Sequence, residues 1–441
     1  MSTPRRILIF AYFFPPLGGA GVQRVVKLVK HLPSLGWEPT VVTVRARDYW
    51  MEDATLQAEL GPSVRVVRTP SLTGLSLLRR VAPRAGGRGA GRRSGRGLAL
   101  LRRAAAWALL PDSYIGWMPF AVRAGARLLA GTRYDCLLTT SSPDSAHLIG
   151  RFLARRSGVC WVADFRDPWT RRLSFSPPTA WHRRRHEILE ASVLRESSLV
   201  TVTSEETRAD YLARCPALPA GKIAVVTNGF DEEDFAELEG EEPDGGRLRI
   251  LHAGQLNPER PARPFLEGMR LFLERRPAAR ARIEARFVGP CYERDRADAE
   301  RLGLGDCVRF EPALAHAQVV RELRRSHLLL LMEHDSARGG LILPGKIFEY
   351  LRARRPILGL LPPGAAWKLI EDLRAGRCCR TGDAEGCAEA LAGSYDDWRA
   401  GRWGPTPLSD AVLAPYERRA LARRFVDLVA ERLSGRDSAD L

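Results

Sequence analysis

The amino-acid sequence predicts an α/β protein of two domains, each built on a parallel β-sheet. The chain has 441 residues, more than one ordinary hydrophobic core accommodates. Short apolar strand patterns alternate with helical patterns, as they do in parallel sheets, and the alternation restarts after an acidic, glycine-rich stretch. We therefore expect an N-terminal domain over 1–236, a linker over 237–247, a C-terminal domain over 248–412 and a final segment over 413–441.

The first domain opens with a strand, a glycine-rich loop, a helix and a second strand. Residues 6–11 are an apolar run rich in β-formers that ends before Pro15 and Pro16. Residues 22–35 repeat apolar side chains at helical spacing and stop at Gly36. The remaining strands predicted in this domain are 40–44, 64–68, 136–139, 159–163, 199–202 and 223–227.

The second domain repeats this alternation, and an amphipathic, basic helix is expected near residues 417–433. Two such series, each with its ligand-binding edge at the carboxyl ends of its strands, predict a cleft between the sheets. The strands predicted here are 248–252, 281–288, 308–310, 328–332 and 357–361.

Positive charge is concentrated in one segment. The net charge is +16, and residues 60–111 contain no carboxylate, whereas nine arginines lie between Arg79 and Arg103. Residues 79–105 are therefore predicted to be a basic insert, either a solvated loop or a surface that docks on an anionic membrane. Nucleic-acid binding is unlikely, because no module that reads nucleic acid accompanies the charge.

The cysteines and the apolar segments bear on the compartment. The eight cysteines show no metal-ligand spacing, and we interpret them as reduced thiols, so no metal site is expected. The apolar run at residues 7–14 has no cleavage site after it, and no stretch is long enough to span a bilayer. These features predict a cytoplasmic protein whose membrane contact, if any, is peripheral.

The glycine loop before the first helix is the first candidate site. Gly18 and Gly19 allow backbone N–H groups to approach an anion at the helix N-terminus. Arg24 stands where the third glycine of a dinucleotide fingerprint belongs, which argues against a nicotinamide cofactor. A plain glycine turn without a ligand is the alternative.

A charged cluster follows the strand at residues 159–163. Asp164 and Asp167 flank Arg166, with aromatic residues on both sides, an arrangement that is costly to bury without a ligand. Its place at the carboxyl end of a strand favours a catalytic role. A structural Asp–Arg pair that holds a loop is the alternative.

The second domain carries a pattern suited to a diphosphate. Gly340 precedes a helix with Lys346 in its first turn and Glu349 one turn later, where a carboxylate could accept the hydroxyls of a ribose. Lysine at a helix start is disfavoured by the helix dipole unless an anion is bound there. Arg260, in the loop after strand 248–252, could clamp the same diphosphate.

Taken together, these residues resemble the retaining glycosyltransferases of family 4, whose GT-B architecture has two Rossmann-like domains with parallel sheets facing an inter-domain cleft. The resemblance covers nearly the whole chain and rests on residues 7–44, Ser141-Ser142-Pro143 with His147, 164–169, 201–204 with 227–231, 252–261 and 344–350.

The resemblance implies roles for particular residues. The diphosphate of a nucleotide-sugar would meet Arg260, Lys346 and the amides of residues 340–343, and Glu349 would take the ribose. The resemblance also places Gly18 and Gly19 beside the donor and Ser142 and His147 on the acceptor side, and it predicts that the final helix crosses back to the N-terminal domain.

The chain departs from the family pattern at two positions. Leu341 occupies the place of the first Glu of the Glu-x7-Glu motif, so the sugar is not indicated, and Gln255 stands where many members have Arg. We expect metal-independent, retaining transfer from a nucleoside-diphosphate sugar to a hydroxyl of a glycan or lipid-linked acceptor, in cell-surface polysaccharide or glycolipid synthesis. A catalytically degenerate scaffold or a sugar-nucleotide epimerase of related fold are the alternatives.

Overall fold

The computed structural model describes residues 4–18, 20–45, 54–72, 107, 109–236, 241–243, 245–402, 404 and 406–437. The predicted basic insert 79–105 and Gly19 lie outside these residues. The chain divides into two compact units, Met1–Val226 with Leu421–Leu441, and Thr227–Ala420.

The first unit is a seven-stranded parallel sheet in the order β3-β2-β1-β4-β5-β6-β7. The strands are β1 Arg5–Phe10, β2 Trp37–Val44, β3 Arg65–Thr69, β4 Cys136–Thr140, β5 Cys160–Phe165, β6 Leu199–Val202 and β7 Ile223–Val225. Its helices are α1 Ala20–His31, α2 Ala54–Ala58, α3 Met118–Gly131, α4 Ser145–Ser157, α5 Ala180–Glu196 and α6 Glu205–Arg214.

The second unit is a six-stranded parallel sheet in the order β10-β9-β8-β11-β12-β13. The strands are β8 Leu248–Ala253, β9 Ile283–Val288, β10 Val308–Glu311, β11 Leu328–Met332, β12 Ile357–Leu360 and β13 Gly376–Cys379. Its helices are α7 Arg263–Arg275, α8 Glu293–Arg301, α9 His316–Arg324, α10 Lys346–Ala353, α11 Ala365–Asp372, α12 Ala384–Arg399 and α13 Asp410–Leu413. Two Rossmann-like units with parallel sheets agree with the predicted α/β fold class.

Apolar side chains cover both faces of each sheet, as parallel sheets require. In the first unit Phe10 and Trp161 belong to the core on one face, and Ile7 and Ile9 to the core on the other. In the second unit Leu330 and Leu358 face one core, while Leu329 and Ile347 belong to the other. These cores fix the carboxyl ends of the strands, where the candidate site residues lie.

The last helix, α14 (Arg418–Asp437), contributes to the first unit's core. Phe425 and Val429 are buried against the same apolar cluster as Ile7 and Ile9 of β1. Arg432 also donates a hydrogen bond to the carbonyl of Gly221. These contacts place the final helix against the N-terminal sheet, to which the resemblance predicted that it returns.

The division between the units differs from the predicted linker. It falls after Val226, whereas the sequence placed the linker at 237–247. The reason is that Phe230 and Phe235 are buried in the second unit's core, and the Phe230 amide donates to the Tyr416 carbonyl at 3.1 Å. Residues 227–236 therefore belong with the second sheet.

One strand escaped prediction, and some boundaries shifted by a few residues. Strand β13 reads Gly-Arg-Cys-Cys, with no apolar run. It pairs with β12 at the sheet edge, where Gly376 and Arg377 are exposed and Cys379 is buried. No disulfide bond joins cysteines among the described residues. None of the helices among the described residues combines the length and the apolar character needed to traverse a bilayer.

Candidate functional site

A group of charged side chains lies at the carboxyl ends of β8 and β11 in the second unit. Lys346 is the first residue of α10 and is half-buried; its Nζ would lie 3.4 Å from a Cβ placed on Gly254, just after β8. Arg260 Nη1 donates to Glu333 Oε1 at 2.9 Å, and Glu333, just after β11, is 2% exposed. The fold thus brings together Arg260 and Lys346, which are 86 residues apart in the sequence.

Electrostatics in this group disfavour a bare ammonium. Burial and the positive charge of Arg260 lower the pKa of Lys346 to about 8, and the charges of Glu333 and Glu349 oppose this shift. An anion placed between the two cations would reverse this effect. A half-buried lysine beside an arginine is therefore poised for an anionic ligand.

A tight turn fixes the position of Arg260. The Asn257 side-chain oxygen accepts hydrogen bonds from the Glu259 amide at 3.0 Å and the Arg260 amide at 2.8 Å. Asn257 and Arg260 also pair through their backbones. Side-chain amides of this kind stabilise turns by bonding the backbone two residues on. Gln255, at the start of the same loop, is exposed and makes no hydrogen bond with its side chain among the described residues.

His252 lines the same group from within β8. Its Nδ1 lies 3.0 Å from the Leu330 carbonyl, so this nitrogen carries the proton. The buried Nε2 has no hydrogen-bond partner among the described residues. Burial, followed by the charge of Lys346, lowers the pKa of His252 well below its ordinary value. The ring is therefore neutral and offers an unused acceptor beside Lys346.

The glycine loop before α10 does not offer all the amides that the sequence suggested. The amides of Gly340, Leu341 and Ile342 donate to Ser336, Arg338 and Gly339 at 3.1–3.2 Å, because residues 339–341 form a short 3-10 helix. The expectation that amides 340–343 face a diphosphate is therefore wrong for three of the four. Gly340 instead allows close packing, since a Cβ there would meet the Pro363 carbonyl at 2.4 Å.

The start of α10 supplies other donors. The backbone N–H groups of Gly345 and Lys346 make no hydrogen bond to any described residue, as expected in the first turn of a helix. They point in the direction in which the helix dipole favours an anion. These two amides, with the Lys346 ammonium, replace the amides of residues 340–342 as candidate phosphate donors.

Glu349 already has a partner in the second unit. Its Oε1 lies 3.0 Å from Nε2 of His316, the first residue of α9, and His316 Nδ1 lies 3.9 Å from an Asp234 oxygen. The side chain of Glu349 is 17% exposed. A ligand hydroxyl that bonds Glu349 would therefore share it with His316 or displace that ring.

In the first unit, Asp164 is buried at the end of β5 and fully hydrogen-bonded. Arg24 donates to both carboxylate oxygens, at 2.8 and 3.1 Å, and the hydroxyls of Thr140 and Thr201 donate at 2.8 and 2.7 Å. Burial raises the pKa of Asp164, but the charge and hydrogen bonds of Arg24 and the hydrogen bonds of the two threonines outweigh burial, so the pKa is lowered. Four donors leave no free lone pair, which favours the alternative of a structural Asp–Arg pair, with Arg24 as the partner.

Arg166 and Asp167 behave differently from each other. Arg166 donates to the carbonyls of Ser141 and Gly21, and so ties the β4 and glycine loops to β5, while burial lowers its pKa. Asp167 is partly exposed and accepts no hydrogen bond from the described residues. Gly18 is buried in the glycine loop, whose helix also carries Arg24. Of the predicted catalytic group, Asp167 has the freest carboxylate.

The loop after β4 holds a cluster of buried polar atoms. Arg172 donates to Ser142 Oγ at 3.1 Å and to the carboxylate of Asp144, which is fully buried. Burial raises the pKa of Asp144 to about 7; the charge of Arg172 opposes the shift and that of Asp112 adds to it. Four buried side-chain atoms here make no hydrogen bond to the part of the chain that the structure describes: Ser141 Oγ, Asp144 Oδ1, Ser145 Oγ and His147 Nε2.

His147 is part of this cluster. Its Nδ1 lies 2.9 Å from Thr139 Oγ1, its ring packs on Phe165 at 4.3 Å, and burial lowers its pKa to about 3. The ring is neutral, and buried polar atoms without partners are uncommon in proteins. Four of them on one short segment indicate that polar groups, such as water or sugar hydroxyls, complete the hydrogen bonding here.

Several of these residues were not predicted from the sequence. Glu333, His316, Arg172 and Asp144 become visible only when the sheet order and the loops bring them next to the predicted residues. Arg24 carried a signal, because it stood in the place of a fingerprint glycine. Its contact with Asp164 spans 140 residues, and no local pattern indicates it.

Comparison with known proteins gives the following relationships. Residues 18–229 match the family described as glycosyl transferase 4-like domain. The D-inositol 3-phosphate glycosyltransferase of Streptomyces avermitilis is 28% identical over 155 residues, which cover 32% of this chain and 33% of that protein. The chain thus spans about a third of the length of the curated relatives it matches.

Solved structures resemble the chain over nearly its whole length. The α,α-trehalose 6-phosphate synthase of Burkholderia multivorans has a TM-score of 0.68 at 13% identity, covering 100% of this chain and 99% of that one. Anabaena HepE in complex with UDP has a TM-score of 0.60 at 13% identity, covering 97% and 100%. The chain therefore has the GT-B fold of two Rossmann-like domains, and its residues 18–229 match the glycosyl transferase 4-like domain.

Proposed function

We propose that this protein is a glycosyltransferase that moves a sugar from a nucleoside-diphosphate sugar to a hydroxyl acceptor. The observation that carries the proposal is the pair of cations, Arg260 and Lys346, beside free amides at the start of α10. A lysine whose charge is disfavoured in the empty site gains most from a dianion such as a diphosphate. The family match and the fold point to the same class.

The diphosphate would be held by the second unit. Lys346 and the amides of Gly345 and Lys346 would contact one phosphate, and Arg260 would reach the other with the N–H groups that Glu333 leaves unused. Fixed donors of this kind stabilise the negative charge that grows on the leaving diphosphate. Glu349 would accept the ribose hydroxyls, and Gln255 and the loop at Gly340 and Leu341 would border the donor.

The first unit would bind the sugars. Ser142, Arg172 and His147, with the unpaired atoms around them, would hydrogen-bond sugar hydroxyls, and Asp167 would orient the acceptor or steady the positive charge of the transition state. Asp164 and Arg166 would keep the loops that carry these groups in place. We propose retention of configuration with the leaving phosphate oxygen taking the acceptor proton, and no metal, in line with the resemblance to family 4.

The proposed acceptor follows from the charge pattern of the sequence. A membrane-held glycan or glycolipid acceptor would suit a peripheral, cytoplasmic enzyme whose basic insert 79–105 meets anionic lipids. One relative is named for a sugar transfer to D-inositol 3-phosphate, and one structural neighbour contains UDP. These names support a nucleotide-sugar donor and leave cell-surface polysaccharide or glycolipid synthesis as the proposed role.

The experiment is calorimetric titration with UDP-, GDP- and ADP-sugars, followed by an assay of the bound donor. We expect one nucleotide to bind, slow donor hydrolysis without acceptor, and weaker binding in Lys346→Met. Lys368→Met, an exposed lysine on α11, is the matched control and should bind as the wild type does. Binding without turnover on any glycan or lipid acceptor would identify a scaffold, isomerised donor sugar would identify an epimerase, and no binding at all would refute the proposal.

A further inference from the structure

We propose that one exposed face of helix α5 binds the surface of an anionic lipid bilayer. Trp181, Arg184, Arg185 and Ile188 lie at positions i, i+3, i+4 and i+7 of this helix, so they share one side of it. We call this the Trp181 face. All four side chains are exposed, although a helix on a sheet normally exposes polar residues there.

The composition of the face combines apolar and cationic groups. Trp181 is 60% exposed and Ile188 is 42% exposed. The Arg185 guanidinium stacks over the Trp181 ring at 5.9 Å, and Arg183 adds a further exposed cation beside the face. Tryptophan and arginine side by side are typical of surfaces that lie at the headgroup level of a bilayer.

Arg183, Arg184 and Arg185 contribute little to the stability of helix α5. Thr179 caps its N-terminus by accepting a hydrogen bond from the His182 amide at 3.3 Å, so Arg183, Arg184 and Arg185 fall within the first two turns. Cations near a helix N-terminus oppose its dipole. Among the described residues, the one ion pair that these three arginines make is Arg184–Glu187 at 3.6 Å, an exposed contact that stabilises little.

A second exposed tryptophan, Trp107, lies next to the Trp181 face. Trp107 is 55% exposed, and its ring meets that of His182 edge-on at 5.2 Å. The Trp181 ring also meets the His182 ring edge-on, with centroids 4.8 Å apart.

A bilayer fits these features better than a nucleic acid. Ile188 offers no hydrogen bond and no ring for base stacking, but it gains by entering the headgroup region. The arginines provide the attraction to anionic headgroups. This inference rests on the membrane-held acceptor of the proposed function, but binding to lipid needs no turnover, so the two can fail independently.

The test is co-sedimentation of the full chain with vesicles. We expect binding to phosphatidylcholine vesicles that contain about 30% phosphatidylglycerol, little binding to pure phosphatidylcholine, and loss of binding in concentrated salt. Arg183→Gln/Arg184→Gln/Arg185→Gln should lower the partition coefficient by roughly fivefold per arginine, about a hundredfold in all. Trp181→Ala should lower it by several-fold while UDP-sugar binding stays unchanged.

A matched variant separates a surface effect from net charge. Arg247→Gln/Arg282→Gln/Arg309→Gln removes three exposed arginines from the second unit and should leave vesicle binding nearly unchanged. Equal losses in both triple variants would overturn the Trp181 face as the docking surface. So would equal binding to neutral and anionic vesicles, or binding to an oligonucleotide but not to vesicles.

Discussion

The titration of Lys346 makes donor affinity depend on pH in a defined way. Its pKa is lowered to about 8 in the empty site by burial and by Arg260. A bound diphosphate would raise this pKa back to its ordinary value of 10.5 or above, so binding takes up a proton wherever the free lysine is neutral. Affinity should therefore be full below pH 8 and fall as pH rises above it.

The size of the effect follows from the two pKa values. With a pKa of about 8, the protonated fraction of Lys346 drops from roughly nine-tenths at pH 7 to roughly one-tenth at pH 9. Affinity for a nucleotide-sugar should fall roughly tenfold over this range, which is about 1.4 kcal/mol. The same shift penalises the charged lysine in the empty protein, so the empty second unit should gain stability as pH rises through 8.

Calorimetry at several pH values measures this directly, with the buffer ionisation heat varied to count protons. Lys346→Arg keeps the charge but does not titrate, so its affinity should be nearly constant, and any slope it shows belongs to the ligand. Lys368→Met should reproduce the wild-type slope. If wild type and Lys346→Arg lose affinity in parallel, Lys346 does not contact the diphosphate and the reasoning fails.

Three further changes test the other assignments. Glu349→Ala should weaken donor binding by about 2 kcal/mol in calorimetry, the scale of a lost hydrogen bond to a charged group. The control Glu371→Ala, which removes an exposed carboxylate on α11, should leave the affinity unchanged. Equal affinities of the two variants would remove Glu349 from the site. Asp164→Asn breaks a buried ion pair and should lower the free energy of unfolding by roughly 3–5 kcal/mol in denaturant titration. Asp167→Asn should lower turnover with little change in stability. The reverse pattern would exchange the roles of the two residues. Because the pKa of Asp144 is raised from 3.8 to about 7, its stabilising contribution is present below pH 4 and is lost as pH rises through 7; the free energy of unfolding falls by at most about 4 kcal/mol. Asp144→Asn should flatten this decline in thermal unfolding measured against pH. An unchanged profile would contradict the raised pKa.

The sequence allowed the fold to be predicted because its signals are local. Apolar periodicity at Val22, Val25, Val26 and Val29 indicated helix α1, and the observed helix buries all four of these side chains. Strand β13 carries no such signal, since Arg377 interrupts it and its burial depends on a neighbouring strand. The division after Val226 was also missed, because it depends on where Phe230 and Phe235 pack.

The candidate site was predictable only where its residues lie in motifs. Lys346 and Glu349 stood out from their spacing at a helix start, whereas Glu333 and His316 reach them through the order of β8, β11 and α9. The role of Asp164 depended on Arg24, which the chain supplies from a different helix. The glycine-rich loop at Gly340 suggested free amides, but these amides donate to carbonyls within the same turn.

The placement of α14 decides how this protein can be taken apart. The stretch 227–420 is continuous, so it can be expressed by itself to measure nucleotide binding. A fragment that stops at residue 226 would lack Phe425 and Val429 and would expose Ile7 and Ile9 to water, which favours aggregation. During synthesis, likewise, the core of the N-terminal sheet cannot be completed by these two side chains until about two hundred intervening residues have left the ribosome. Joining residues 418–437 to the 1–226 fragment through a flexible linker is the way to obtain that half intact.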